Sequence, residues 1–296
     1  MSSRYTGYLL LLSGMAVVGS YVALSKPLTA MMPVLLIAWL RFGIGALAMA
    51  PWLRRGPTDQ VLSRPVITQL FLQSFFGNFL FSICMLYGVS MTSATASGVI
   101  LSSMPAVVAL LSWLLLREHL SARVWLAIAM AVVGVLLLSI GAPQAHSGGS
   151  ASLSWLGNLL VFASVFCESM YVILGKRLTS SLSARRISAL INLCGLVLMT
   201  PFGLWYALDF DFAAIDASGW LLLVLYALAA SQWSTWLWLS GLRSVPASRS
   251  GVFTIAMPLA ATAIGVGFLG ETLQWTHAAA FGLACAGIVL ITTERQ

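Results

Sequence analysis

Charge is what this sequence has least of. Only 8% of its 296 residues are Asp, Glu, Lys or Arg, against about 25% in an ordinary soluble domain. A solvated surface cannot be built from so few charges, so a soluble globular protein is excluded. Histidine is sparser still: His119, His146 and His277 lie scattered near loops and make no zinc-ligand spacing. The four cysteines, Cys84, Cys167, Cys194 and Cys285, fall in apolar segments with no CxxC pair, and read as reduced packing thiols. No GxxxxGK[ST], HExxH or GxSxG motif occurs, so the chain carries no ATP loop, zincin helix or nucleophile elbow. No cofactor and no metal is implied.

What is abundant is apolar side chain, 60% of the total. It is arranged in stretches near the ~20 residues that carry a helix across the hydrocarbon core. Ten spans are expected, at about Gly7–Ser25, Pro33–Leu53, Val66–Tyr87, Ala94–Leu116, Ala122–Ile140, Ser154–Leu174, Ile187–Trp205, Gly219–Ser240, Ser248–Leu269 and Trp275–Ile291. Lipid leaves a backbone polar group no partner outside the chain, so a span must be a helix or part of a closed barrel. Period-2 alternation is absent, which removes the barrel. The fold class is therefore all-α integral membrane. The first segment is not a signal peptide, because more spans follow it at once.

The basic residues orient the spans. One side receives Arg4, Arg54, Arg55, Arg64, Arg117, Arg123, Lys176, Arg177, Arg185, Arg186, Arg243, Arg249 and Arg295, and the other only Lys26. Thirteen against one is the positive-inside asymmetry, and it puts both termini in the cytoplasm of a cell with an inner membrane. Basic residues confined to short connections are a topology signal, so the net charge of +7 does not imply nucleic acid. The lipid bilayer is the expected partner.

The chain repeats itself. At an offset of 150, Gly7 meets Gly157, Tyr21-Val22 meets Tyr171-Val172, Lys26 meets Lys176 and Pro51 meets Pro201. At 153, Gly88 meets Gly241, Ser97-Gly98-Val99 meets Ser250-Gly251-Val252, Met104-Pro105 meets Met257-Pro258, and Glu118 meets Glu271. The expected organisation is a first five-helix repeat over 1–141, a Gly/Ser-rich linker over 142–153 and a second repeat over 154–296. Five is odd, so the second repeat enters the membrane from the other side. The connection holding Arg54, Arg55 and Arg64 corresponds to the one holding Asp209, Asp211 and Asp216, as inversion requires.

Several residues are candidates for chemistry. Pro105 and Pro258 interrupt equivalent helices and are expected hinges or polar notches. Glu118 and Glu271 follow those helices, where the dipole disfavours a carboxylate, and read as gate residues. Glu168 is an acidic residue inside a span, a functional site by default, with Arg41 as its natural partner. The alternative reading of those two is a static ion pair that pins helices. Gln73, Asn78, Asn192 and Gln232 are polar at membrane depth and expected at a cavity, although such side chains also glue helices together. Trp233 and Trp236 share a helical face mid-span, where an aromatic cavity wall would suit a bulky substrate.

Arg41-Phe42, the repeated Pro105/Glu118 and Pro258/Glu271 unit, and Lys26 and Lys176 together resemble the drug/metabolite transporter superfamily, in its ten-helix duplicated branch. The resemblance covers nearly the whole chain. It implies gradient-driven export of metabolites, and bacterial amino-acid exporters, those for aromatic amino acids included, are the nearest likeness. Ile191-Asn192 stands in the second repeat where Arg41-Phe42 stands in the first, so any role of the arginine is not duplicated. Efflux of cationic drugs or other metabolites stays open, as do an intramembrane enzyme and a receptor. The chain shows no nucleophile–base constellation, and a receptor has no need of inverted duplication. Cysteine labelling tests the topology: position 146 should react only from outside and position 185 only from the cytoplasm, and the reverse pattern overturns it.

Overall fold

The computed structural model of the chain describes residues 2–57, 59–81, 83–85, 88, 104–117, 121–140, 151–257 and isolated positions after 257. Among the described residues every element is helical and none is a strand. The first half holds α1 (Ser2–Met31), α2 (Val34–Ala48), α3 (Arg64–Ser74), α4 (Met104–Leu116) and α5 (Ala122–Ile140). The second holds α6 (Ala151–Leu178), α7 (Ala184–Leu208), α8 (Ala217–Ala227), α9 (Ser234–Leu242) and α10 (Ala247–Phe253). Helix α6 starts within the stretch read as the linker. A π turn, Phe75–Leu80, continues α3, and another, Leu228–Trp233, fuses α8 to α9. Among the described residues, four stretches are long and apolar enough to cross a membrane: Arg64–Met85, Leu156–Leu178, Ala184–Leu208 and Ala217–Leu242. Their outward faces suit lipid, with Val197, Trp205, Leu208 and Leu221 among the most exposed side chains.

Local chemistry sets the helix boundaries. Pro65 stands in the first turn of α3, where a missing N–H breaks no hydrogen bond. Asp216 caps α8 by accepting the Gly219 N–H at 2.9 Å. Buried hydroxyls satisfy themselves within their own helices: Ser112 donates to the Val108 carbonyl, Ser169 to Val165, Ser188 to Ala184 and Ser234 to Ala230. That back-bonding lets Ser sit in an apolar helix without an orphaned donor.

The packing is symmetric under exchange of the halves. Helix α2 packs on α7 and α4 on α10, while α1 packs on α9 as α6 packs on α3. Small residues make the central crossings possible. A methyl group on Gly45 of α2 would come within 2.7 Å of the Ser231 Cβ and 3.0 Å of the Asn192 Oδ1, and one on Gly195 of α7 within 3.0 Å of Phe42 and 3.3 Å of Asn78. Gly45 and Gly195 are repeat equivalents, as are Ser231 and Asn78, and Asn192 and Phe42. The same pairing recurs farther out: Gly241 meets Leu11 and the Gly7 carbonyl, and Gly88 meets Val161 and the Gly157 carbonyl.

The connections sort to two ends. At the basic end the Gln60 N–H donates to the Ser181 carbonyl at 3.0 Å, and Lys176 Nζ donates to the Leu242 and Val245 carbonyls at 2.6 and 2.7 Å. At the acidic end Leu28, Met32, Ile37 and Leu223 form a greasy plug with Phe210, Ile215 and Trp220 around it. Gly43 supplies an internal control for the crossing, since a methyl group there meets only Leu196 at 4.0 Å. Gly45→Ala should therefore destabilise by about 1–3 kcal/mol through overpacking, with Gly43→Ala near wild type. Melting temperatures in detergent check this, and equal effects would show that the crossing is not tightly packed.

Candidate functional site

A cavity of about 490 Å³ lies where the two halves meet. Its wall draws on α1, α2, the π turn after α3, α4, α6, α7, the π turn after α8, α9 and the residues following α10. Most of its lining falls into repeat-equivalent pairs. Tyr21 faces Tyr171 and Met104 faces Met257, identical in both halves, while Met15 answers Val165, Asn78 answers Ser231, and Met85 answers Trp238. The cavity therefore sits on the pseudo-two-fold axis, near the middle of the spans.

The shape is symmetric, but the chemistry is not. Arg41 occupies the position that Ile191 holds in the other half, Glu168 the position of Val18, and Asn192 that of Phe42. One cation and one carboxylate are thus both first-order departures from an apolar symmetric wall. They do not pair: among the described residues the one ion pair is Arg186 with Asp59, at 3.8 Å. The alternative reading of Glu168 and Arg41 as a static ion pair is not what the structure shows. The Arg41 guanidinium lies instead over the ring of its neighbour Phe42, 4.4 Å from the centroid, and its Nε is buried without a partner. A cation over an aromatic face is held by the ring quadrupole, which keeps the charge in the wall without neutralising it.

The backbone beneath these residues is pinned by a second symmetric set of bonds. Asn192 Nδ2 donates to the Phe42 carbonyl at 2.9 Å. Asn78 Nδ2 and Ser74 Oγ donate to the Ile191 carbonyl at 3.3 and 2.9 Å, and Ser231 Oγ to the equivalent Arg41 carbonyl at 3.5 Å. Asn78 and Ser231 hold equivalent places in the two π turns, Phe75–Leu80 and Leu228–Trp233. A π turn frees backbone from the α ladder and is common at functional sites. Here the two turns widen their helices beside the cavity.

The other expected site residues divide. Asn78 and Asn192 line the cavity. Gln73 is buried but sealed against α6, its Nε2 on the Tyr171 carbonyl at 3.4 Å. Gln232 lies outside the lining. Trp233 and Trp236 also lie outside it, so the expected aromatic wall is corrected. Trp233 faces outward at 43% exposure, and Trp236 lies 6.3 Å from Trp52 with the Arg185 guanidinium 5.9 Å from its ring. The tryptophan that reaches the cavity is Trp238, two residues on and 2% exposed. A three-residue spacing shows that two side chains share a helical face, not which way that face points, and here it points away from the cavity. Pro105 is the second residue of α4, and Pro258, Glu118 and Glu271 lie outside the described residues. Tyr21, Tyr171, Met104 and Met257 were not singled out by polarity. Their signal in the sequence is identity between the repeats.

The sequence profile of the EamA-like transporter family matches the chain twice, over residues 5–140 and 155–293. The uncharacterized transporter YetK of Bacillus subtilis (strain 168) is 34% identical over 293 residues, 98% of this chain and 87% of that one. The uncharacterized transporter YwfM of the same organism is 27% identical over 200 residues, 67% of this chain and 64% of that one. A solved crystal structure superposes with a TM-score of 0.77 over 98% of this chain and 97% of the other, at 19% identity, which shows a shared fold.

The placement of the tryptophans is directly testable. Trp238→Leu should lower transport by about tenfold or more through loss of cavity wall, while Trp233→Leu stays near wild type. Rates in proteoliposomes check this, and a larger loss at position 233 would put the working aromatic face on the lipid side.

Proposed function

The chain belongs to the EamA-like transporter family and is a multi-pass membrane transporter, and from that premise we propose that it is a secondary transporter that exports amino acids, aromatic ones included, by alternating access. The observation that carries the substrate class is the unpaired Arg41 and Glu168 in one cavity. Two opposite charges removed from water and not joined to each other are unfavourable unless a ligand completes them. A zwitterion does so: Arg41 donates charge-assisted hydrogen bonds to its carboxylate, and Glu168 accepts from its ammonium group. Met15, Val165, Trp238, Met104 and Met257 leave an apolar bed for the side chain. The volume fits a small metabolite.

The mechanism uses the inverted halves. With the cavity on the axis, one arrangement of the repeats opens it to one side, and exchange of their conformations opens it to the other. In this reading the chain has ten spans and lies in an inner membrane, and the charge asymmetry supports both termini in the cytoplasm. Pro105 and Pro258 act as hinges in this scheme, and Glu118 and Glu271 as gate residues. Glu168, when it is not holding an ammonium group, can carry a proton on the return step. Tyr21 and Tyr171 supply aromatic wall in the same cavity as Glu168, and a carboxylate among aromatic faces supports a second reading, efflux of organic cations.

Substitution separates these roles. Glu168→Gln keeps shape and hydrogen bonding but cannot ionise. With no bridge to break, it should leave the melting temperature near wild type and cut amino-acid counterflow by about tenfold or more. Arg41→Gln should abolish counterflow of zwitterions while sparing that of quaternary amines, if both are carried. Normal counterflow by a stable Glu168→Gln protein would show that this carboxylate is neither ligand nor proton carrier.

A further inference from the structure

The two halves are held together at the basic and acidic ends by different chemistry. At the basic end, the connector between α2 and α3 carries Asp59, which is 3% exposed. Its Oδ1 accepts the Ser183 N–H at 2.6 Å, and its Oδ2 accepts the Gly56 N–H at 2.8 Å. The Arg186 guanidinium, 8% exposed, stands 3.8 Å away. Arg55 Nε donates to the Asp59 carbonyl at 3.0 Å, so the connector is folded around this one residue. Ser183 is the N-cap of α7, and its own side chain makes no capping bond. A carboxylate from the first repeat therefore does the capping for a helix of the second, on the end where the dipole favours negative charge. Burial pushes the Asp59 carboxyl up, but the Ser183 and Gly56 N–H groups and Arg186 outweigh it and hold it below the usual carboxylate range. The group is an anion throughout the physiological range.

The acidic end cannot make the mirror contact. The offset of 150 places Asp209 opposite Asp59, Pro33 opposite Ser183, and Leu36 opposite Arg186. Proline has no N–H to donate, and leucine has no charge. Asp209 is exposed, and its neighbours Asp211 and Asp216 accept from Ala213 of the same connection and from Gly219 of α8, within their own half. What joins the halves at that end is the apolar plug of Leu28, Met32, Ile37 and Leu223.

We propose that the Asp59–Ser183–Arg186 contact is the latch of the basic-side gate: it ties the two repeats together while the cavity is closed to that side, and it must break for the cavity to open there. The proposal rests on the alternating-access reading above. It makes the two gates inequivalent, one switched by breaking directional polar bonds and the other by sliding apolar surfaces.

Labelling tests it without a substrate. In full-length protein with its native cysteines replaced, a cysteine at Ser188, which lines the cavity, is reacted with a membrane-impermeant maleimide applied from the basic side of proteoliposomes. Asp59→Asn should raise that labelling rate by about tenfold or more, and Asp209→Asn should leave it unchanged. An unchanged rate in folded Asp59→Asn protein, or an equal rise for Asp209→Asn, overturns the latch. Should Asp59→Asn fail to fold, a reversible tether decides. Gln60→Cys and Ser181→Cys, joined by oxidation with Asp59 intact, should stop labelling at position 188 until the tether is reduced. Persistent labelling of tethered protein overturns the proposal. L-Phenylalanine counterflow, run in parallel, fails on its own if the amino-acid reading is wrong while the labelling pattern stands.

Discussion

Everything in this molecule hangs on the close crossing of α2 and α7. Gly45 and Gly195 bring the two backbones together on the pseudo-two-fold axis, and the carbonyls they leave accessible accept from Asn192, Asn78, Ser74 and Ser231. In lipid there is no hydrophobic force to press helices together, so small residues and interhelical hydrogen bonds do that work. With this crossing fixed, the paired contacts of α1 with α9 and of α6 with α3 follow as its two symmetric consequences. The cavity is what remains between them.

Duplication accounts for the form of that cavity, and divergence for its selectivity. An exactly symmetric wall could not tell one end of a ligand from the other. Arg41, Glu168 and Asn192 each break the symmetry where the partner residue is Ile191, Val18 or Phe42. The result is a site with a direction, held in a frame that can still exchange its halves. The same division runs to the ends of the molecule, where the halves are held together by ionic contacts on one side and apolar contacts on the other.

Much of this was legible in the sequence, though unevenly. Membrane class, the all-helical fold and the duplication follow from bulk properties: scarce charge, long apolar runs and repeated identities at two offsets. Glu168, Arg41, Asn78 and Asn192 were found because a polar group at membrane depth needs a reason. Trp233 and Trp236 mislead because their spacing tells which side chains share a face, not which neighbour that face meets. Gln73 misled because a buried amide serves packing as readily as a cavity. The absence of a Glu168–Arg41 bridge depends on side-chain direction, which composition does not encode. Asp59 was passed over because it lies in a connector, where a carboxylate is ordinarily solvated, and only the fold brings Ser183 to it.

The paired π turns have one further consequence. A π turn holds one residue more than the α turn it replaces, and each residue advances a helix by about 100°. Deleting a single residue from Phe75–Leu80 or from Leu228–Trp233 would therefore swing everything beyond it by more than a quarter revolution. Met85 and Trp238, which stand at equivalent distances past the two turns, would leave the cavity and face a neighbouring helix or the lipid. In most helices of this length a one-residue slip is absorbed at the next connection. In these two the irregularity is itself the register mark, so the spacing between turn and wall is as much a part of the binding site as the side chains that line it.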